Sequence, residues 1–114
     1  MKNIYTIDNN TIVINGKNVD FSNTIGEVVD FNDIIIVRLI VPSGSKFNKN
    51  VFALTRDGCV LWQICESPHG GDINKPFMKI SISSSGELIA ENWIGVNYKV
   101  DLNSGSLIVE SFKR

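Results

Sequence analysis

The chain has 114 residues, of which 43% are hydrophobic and 20% charged. This length suits one domain, residues 1–114, and the composition excludes wholesale disorder because enough apolar surface is available to form a core. Eleven basic and twelve acidic residues leave a net charge of −1. That balance argues against a nucleic-acid binder, since such proteins usually carry a basic excess.

The N-terminal residues lack the pattern of a targeting segment. Residues 1–16 alternate polar and apolar side chains, whereas a signal peptide needs an unbroken apolar run of about 7–15 residues. The longest apolar runs, 34–37 and 39–41, are separated by Arg38 and are far shorter than the roughly 20 residues of a membrane span. We expect a cytoplasmic protein without a membrane partner.

Period-2 alternation rich in β-branched and aromatic residues runs along the chain, and no window shows a sustained helical period. Residues 4–7 and 11–14 predict a hairpin that Asn15-Gly16 follows as a tight turn, since Asn-Gly suits positive φ. Residues 25–31 and 34–41 predict a second hairpin around Asn32-Asp33, and 51–55 and 59–64 a third around Asp57-Gly58.

The loop 66–76 contains two prolines and two glycines, which exclude regular structure there. Four further strands are predicted at 78–83, 87–92, 96–101 and 106–112. The strands recur at the spacing of antiparallel all-β folds. We therefore predict an all-β domain of antiparallel strands.

An internal repeat supports this organisation. Residues 51–62 can be laid on 97–109, with one extra residue in the second turn. In each copy an aromatic residue, Phe52 or Tyr98, precedes an aliphatic residue by two places, and Gly58 or Gly105 closes the turn. The longer units 25–64 and 77–112 each hold four predicted strands. Four-stranded repeats of about 40 residues are typical of propeller blades.

The segment 51–54 with Asp57-Gly58 and Leu61-Trp62 resembles the outer hairpin of blades in quinoprotein-type and WD-type propellers. The segment 98–101 with Ser104-Gly105 and Leu107 is similar to the same element. A closed propeller needs at least about four blades, and this chain has room for two and an N-terminal hairpin. The resemblance therefore implies two blade-like sheets, in a half-propeller or sandwich-like arrangement, and not quinone binding.

A short two-blade chain of this kind resembles the half-propeller immunity proteins of bacterial contact-dependent growth inhibition systems, in size and architecture rather than in a residue motif. The resemblance implies a protein that binds the C-terminal toxin domain of a sibling cell's effector, often a nuclease, and blocks its active site. We expect a toxin domain, a ribonuclease foremost, as the partner, with no direct nucleic-acid contact and no small-molecule substrate. The alternative is a self-associating β module, which open terminal strands would favour.

Acidic residues offer two interpretations. Asp20, Glu27, Asp30 and Asp33 have no basic residue between them. They suit a solvated strand edge, where charge discourages aggregation. They also suit an acidic patch that mimics RNA phosphate and covers a basic nuclease cleft, where complementary charge speeds the encounter.

Individual residues add partner-binding candidates. Trp93 lies in a predicted turn and is either a packed corner or a partner anchor, since Trp is enriched among interface hot spots. The one histidine, His69, lies in the 66–76 loop and is expected to be a solvated surface residue. The predicted partner-binding residues are Asp30, Asp33, Glu66, His69, Asp72, Glu91 and Trp93.

No catalytic constellation is visible. The chain shows no nucleophile motif, no metal-ligand spacing and no Gly-rich cofactor loop, so we expect no enzyme, no cofactor and no metal. Cys59 and Cys65 are expected to be reduced thiols, buried or half-buried, because cytosolic disulfides are rare. The predicted core comprises Phe52, Leu54, Leu61, Trp62, Ile80, Ile82, Leu88, Tyr98, Val100 and Leu107.

Overall fold

The structure is a computed structural model that describes residues 5–42, 47–65, 76–93 and 95–112, with 109–112 described as backbone. These residues form strands and connecting turns and contain no helix. The strands are β1 (Tyr5–Asp8), β2 (Thr11–Ile14), β3 (Lys17–Asp20), β4 (Ile25–Phe31), β5 (Ile34–Leu39), β6 (Val51–Thr55), β7 (Val60–Gln63), β8 (Phe77–Ile82), β9 (Leu88–Asn92), β10 (Val96–Val100) and β11 (Leu107–Phe112). The predicted all-β class is confirmed.

The strands form three antiparallel sheets, each an up-and-down meander of strands that follow one another in sequence. The first sheet has the order β1-β2-β3, the middle sheet β4-β5-β6-β7 and the third sheet β11-β10-β9-β8. The two four-stranded units expected from the repeat are therefore the middle and third sheets. The N-terminal hairpin gains a third strand, β3, which the sequence did not predict because only Val19 in it faces the interior.

The middle sheet is covered on both faces. On one face Ile36, Ala53 and Trp62 pack in a cluster with residues of the third sheet. On the other face Ile35 and Leu54 pack in a cluster with the first sheet. A strand buried on both sides needs apolar residues at every position rather than at alternate ones, which is why 34–37 is a continuous apolar run.

Two tight turns set the register of the hairpins. Asn15 and Gly16 have φ values of 51° and 83°, and Asn32 and Asp33 have 54° and 64°. Positive φ at both central residues is the type I′ turn, whose twist matches that of the paired strands. The predicted hairpin turns at both sites are confirmed.

Each sheet has a loop end, where the connections between sheets lie, and an opposite hairpin end. The ends of the middle and third sheets do not line up along β7, because the N–H of Cys65, past the loop end of β7, donates to the carbonyl of Gly105 at 3.3 Å. At the loop end, the N–H of Ile25 donates to the carbonyl of Asn9 at 2.9 Å. The Asn50 side chain bridges the middle and third sheets there, because its amide donates to the carbonyl of Leu39 and accepts from the N–H of Phe77, both at 2.8 Å. At the opposite, hairpin end lie the turns 15–16, 32–33, 56–58, 84–86 and 101–105.

Most of the predicted core is buried: Leu54, Trp62, Ile80, Leu88, Tyr98 and Val100. Phe52, Ile82 and Leu107 are half-buried and pack against the core. Leu61 is 44% exposed, so its assignment to the core was wrong. Val60 and Trp62 pair with the adjacent residues Leu54 and Ala53, which makes Leu61 the extra residue of a β-bulge, pointed away from the interior.

Both cysteines are free and exposed, which corrects the expectation that they are buried or half-buried. Cys59 precedes β7 instead of starting it, and Cys65 follows Gln63 and Ile64 past the end of that strand. Neither thiol has a strand position that would turn it inward.

Candidate functional site

The third sheet has one covered face and one face that no described strand covers. Ala90, Tyr98 and Val100 belong to the cluster shared with the middle sheet. Residues between them in sequence point the other way, because side chains alternate along a strand. This outward face, as we call it, carries Lys79, Ser81, Ile89, Glu91, Asn97, Lys99 and Ile108.

Strand register orders the outward face into two rows. Lys79, Glu91 and Asn97 pair across the strands in the row nearer the loop end. Ser81, Ile89, Lys99 and Ile108 form the row nearer the hairpin end. The face therefore carries basic and acidic residues together with two isoleucines. This composition suits a protein interface that is exposed to water when no partner is bound.

Lys99 is held over this face by Glu87. Its Nζ lies 3.0 Å from Oε2 of Glu87, and the hydrogen bond from Lys99 is the main cause that lowers the pKa of that carboxyl below its ordinary value. Both side chains are more than one-third exposed, so the pair is worth little to stability. Its effect is to fix the position of the Lys99 ammonium group on the outward face.

Three large apolar side chains of the third sheet and its turns are exposed. Ile108 is 53% exposed, Met78 is 55% exposed and Trp93 is 47% exposed. Trp93 lies in the β9–β10 turn, which Asn92 closes by accepting from the N–H of Gly95 and, through its side chain, from that of Val96. Trp93 is therefore an exposed aromatic residue on a hydrogen-bonded turn.

Glu91 and Trp93, two of the predicted partner-binding residues, thus lie at the same end of the third sheet, Glu91 on the outward face and Trp93 in the adjoining turn. Met78, Lys79 and Ile108, exposed residues of the same sheet, were not predicted as partner-binding residues. The repeat did contain a signal for an exposed face. When the two copies are aligned, Lys99 occupies the position that Ala53 has in the other copy. Ala53 is buried, and a lysine at the equivalent position indicates that this face of the third sheet is exposed to water.

Asp30 and Asp33 lie at the hairpin end, away from Trp93. Both approach Arg56, at 2.7 Å for Asp30 and 3.5 Å for Asp33. The side chain of Asp33 is 95% exposed. One arginine therefore compensates part of the charge of these two acids.

The other acids of the 20–33 segment do not join them. Glu27 accepts from Nε of Arg38 at 2.6 Å and from the N–H of Ile80 at 3.0 Å, so it holds two sheets together. Asp20 lies in the first sheet and accepts from the Thr11 hydroxyl. Glu66, His69 and Asp72 lie outside the described residues.

A groove of about 400 Å³ lies at the loop end between the first and middle sheets. The Asn10 amide in its wall donates to the carbonyl of Phe21 at 2.7 Å, and the Asn23 amide donates to that of Ile40 at 2.9 Å. These hydrogen bonds fix the chain segments that connect the two sheets. The polar residues that line the groove therefore have a structural role.

Within the described residues, no group of His, Cys, Asp and Glu could hold a metal ion. The same part of the chain has no helix that is long and apolar enough to cross a membrane.

Comparison with known proteins places the whole domain in one family, because residues 1–112 match its sequence model. The chain belongs to the family described as a domain of unknown function, DUF7957. No curated protein and no solved structure matches the chain. The role of this DUF7957 member therefore has to be argued from its surfaces.

Proposed function

We propose that this chain is a non-enzymatic binding protein, an immunity protein that occludes the active site of the C-terminal toxin domain of a contact-dependent growth inhibition system. A ribonuclease is the expected target. The observation that carries the proposal is the third sheet, whose outward face carries Glu91 and the half-exposed Ile108, and whose loop end carries the half-exposed Met78 and Trp93.

Three exposed apolar residues of this size on one sheet support an interaction role, because exposed apolar surface commonly marks binding sites. Trp is the residue type most enriched among binding hot spots. The β frame supports such a contact because the turn that carries Trp93 is closed by Asn92. A preformed surface loses little conformational entropy on binding.

The inhibition would work by occlusion. Trp93 and Ile108 would exclude water from the contact, and Glu91 would pair with a Lys, Arg or His that the nuclease uses on phosphate. Asp30 and Asp33, at the hairpin end, would act at a distance by attracting a cationic partner. Removal of a central acid should cost about 2–5 kcal/mol of binding, whereas a peripheral acid should change mainly the association rate and its salt dependence.

Co-expression with the toxin encoded beside the gene tests the proposal, with cell survival, RNA integrity and gel filtration as readouts. Wild type should rescue growth and form a one-to-one complex. Trp93→Ala and Ile108→Asp should lose rescue. The matched control is Val60→Asp, because Val60 is 56% exposed but faces the side of the first sheet, and it should rescue like wild type.

Two results would overturn the proposal. Survival no better than with an empty vector, together with no complex on gel filtration, would remove the immunity function. Equal loss of rescue in Val60→Asp and Ile108→Asp would show that the outward face is not the contact.

A further inference from the structure

The first sheet has three strands, whereas the middle and third sheets have four. In each four-stranded sheet the first strand in sequence, β4 or β8, pairs antiparallel with the second, β5 or β9. The strands β1, β2 and β3 correspond to the last three strands of those sheets, because the connections β1–β2, β5–β6 and β9–β10 all lie at the loop ends. No described strand takes the place beside β1 that β4 and β8 take beside β5 and β9.

The edge of β1 that faces away from β2 presents unpaired backbone groups. β2 bonds to β3 through Ile14 and every second residue, because Ile14 flanks the two-residue turn between these strands. The other residues of β2 bond to Thr6 and Asp8 of β1. The N–H and C=O groups of Tyr5 and Ile7 therefore point to the free edge of β1, as we call it. Such an edge is a template for the backbone of an added strand.

One side of the free edge is apolar. Ile7 lies on the same face as Ile12, its partner across the strands. Ile12 is fully buried, whereas Ile7 is 46% exposed, because Ile12 has a strand on each side and Ile7 on only one. Val28 of β4 belongs to the cluster beneath the first sheet and is also only half-buried. An added strand would bury these residues further if its side chains on this face were apolar.

The other side of the free edge is acidic. Asp8, Thr11 and Asp20 form one row across the three strands, and both aspartates are exposed. A strand added beside β1 would place one residue opposite Asp8, at the end of this row. Opposite charges across neighbouring strands stabilise a sheet, and like charges destabilise it. The residue opposite Asp8 should therefore be basic.

These features specify the added strand residue by residue. It runs antiparallel to β1, as β4 and β8 run to their neighbours. In order, it places a basic residue opposite Asp8, an apolar residue opposite Ile7, a polar residue opposite Thr6 and an apolar residue opposite Tyr5. A second copy of β1 does not meet this pattern, because the four residues of β1 include no basic one.

We propose that the free edge of β1 binds an extended segment of another protein as a fourth strand of the first sheet, with the pattern basic–apolar–polar–apolar. Main-chain hydrogen bonds to Tyr5 and Ile7 supply affinity, and the alternating side chains supply specificity, as in other complexes formed by strand addition. The inference goes beyond the proposed function, because this edge is separate from the outward face of the third sheet and its ligand does not have to be a toxin.

The test uses a synthetic peptide that copies residues 78–83, because residues 79–82, Lys-Ile-Ser-Ile, have the required pattern and form a strand in the third sheet. Calorimetry with the full chain should show saturable binding at one site. N-methylation of the peptide at Ile80 should raise the dissociation constant about tenfold or more, because it removes a hydrogen bond to Ile7. N-methylation at Ser81 should leave the dissociation constant unchanged, because that N–H points away from β1.

Variants of the chain locate the site. Ile7→Pro removes an N–H of the free edge and keeps the bonds of Thr6 and Asp8 to β2, so the dissociation constant should rise about tenfold or more. The matched control is Asn18→Pro, which removes the N–H that points away from β2 at the opposite edge of the same sheet, and it should bind like wild type. Asp8→Lys should prefer the peptide that carries Lys79→Glu over the original peptide.

The inference is overturned if the peptide does not bind at millimolar concentration, or if the two N-methylated peptides bind equally well. The peptide comparison on the wild-type chain decides the matter even if Ile7→Pro does not fold. Equal loss of binding in folded Ile7→Pro and Asn18→Pro would also overturn it. So would a free chain that dimerises in light scattering and that Ile7→Pro makes monomeric, because a second copy would then occupy the edge. No readout involves toxin, so failure of this inference is distinguishable from failure of the immunity function.

Discussion

The middle and third sheets have the same strand connectivity, but they differ in whether one of their two faces is covered by another sheet. In each, four strands connect through hairpins, and the last strand contains a bulge. Phe52 and Leu54 face the preceding sheet as Tyr98 and Val100 do. The opposite face of the middle sheet is covered by the third sheet, whereas no described strand covers that of the third sheet.

Corresponding positions show how composition accommodates this difference. By register, Trp62 lies opposite Ala53 in the middle sheet, and Ile108 lies opposite Lys99 in the third. Trp62 is 7% exposed and Ile108 is 53% exposed. The same strand connectivity therefore carries either an interior or an exposed surface, and the side chains on that face differ accordingly.

The largest expected difference in the free energy of unfolding is between the truncations Trp62→Ala and Ile108→Ala. Trp62→Ala should lower the free energy of unfolding by about 3–5 kcal/mol, because it leaves a cavity and removes the indole N–H bond to the carbonyl of Leu102. Ile108→Ala should cost less than about 1 kcal/mol, as expected for an exposed site. Urea denaturation of both variants measures the contrast, and equal losses would contradict the assignment of the two faces.

A second contrast uses glycines. A Cβ at Gly105 would lie 2.7 Å from Cε3 of Trp62, whereas one at Gly95 would have nothing closer than 4.0 Å. Both have positive φ, so alanine costs about 1–2 kcal/mol at either site from backbone strain. Overpacking should add about 1–3 kcal/mol at Gly105 alone. Thermal melting should therefore rank Gly105→Ala well below Gly95→Ala, and the reverse order would refute the packing argument.

The third contrast compares corresponding acidic residues of the two sheets. Glu27→Ala should cost about 1–3 kcal/mol, because it strips Arg38 and the N–H of Ile80 of their shared acceptor. Glu91→Ala, in the corresponding pair of the third sheet with Lys79, should change stability by less than about 0.5 kcal/mol. Chemical denaturation at neutral pH checks both values.

The smallest expected effect concerns pH. The pKa of Glu87 is lowered, chiefly by the hydrogen bond from Lys99. A carboxyl whose pKa is lower in the folded state stabilises the fold above its unfolded pKa, and this contribution is lost as pH falls through the folded pKa. NMR titration should place Glu87 below its ordinary value and show a rise toward it in Lys99→Met. An unchanged titration in that variant would remove the pair as the cause.

The candidate site was only partly visible in the sequence. Glu91 and Trp93 could be proposed from residue type and turn position, and Glu91 lies on the outward face with Trp93 in the adjoining turn. Asp30 and Asp33 were grouped with Glu27 and Asp20 because they are close in sequence. Successive strands and faces separate them in space, and Arg38 and Arg56 approach them from elsewhere in the chain.

Local chemistry determined most of the strands of this protein and its tight hairpin turns. Period-2 alternation sets a strand, and residues that tolerate positive φ, such as Asn15-Gly16 and Asn32-Asp33, set a hairpin. The repeat from 51 to 62 and 97 to 109 predicted two sheets of one plan. These features depend on neighbours in sequence, so they can be read without a structure.

Tertiary structure decided which face of each sheet is an interior. A strand such as β3, with one apolar residue facing inward, is stabilised by β2 beside it and the middle sheet beneath it, and its own pattern is too short to predict it. The bulge that turns Leu61 outward depends on pairing with β6. The outward face exists because the middle sheet covers one side of the third sheet and no described strand covers the other. Which surface is left exposed therefore depends on contacts between distant segments, whose burial no local pattern specifies.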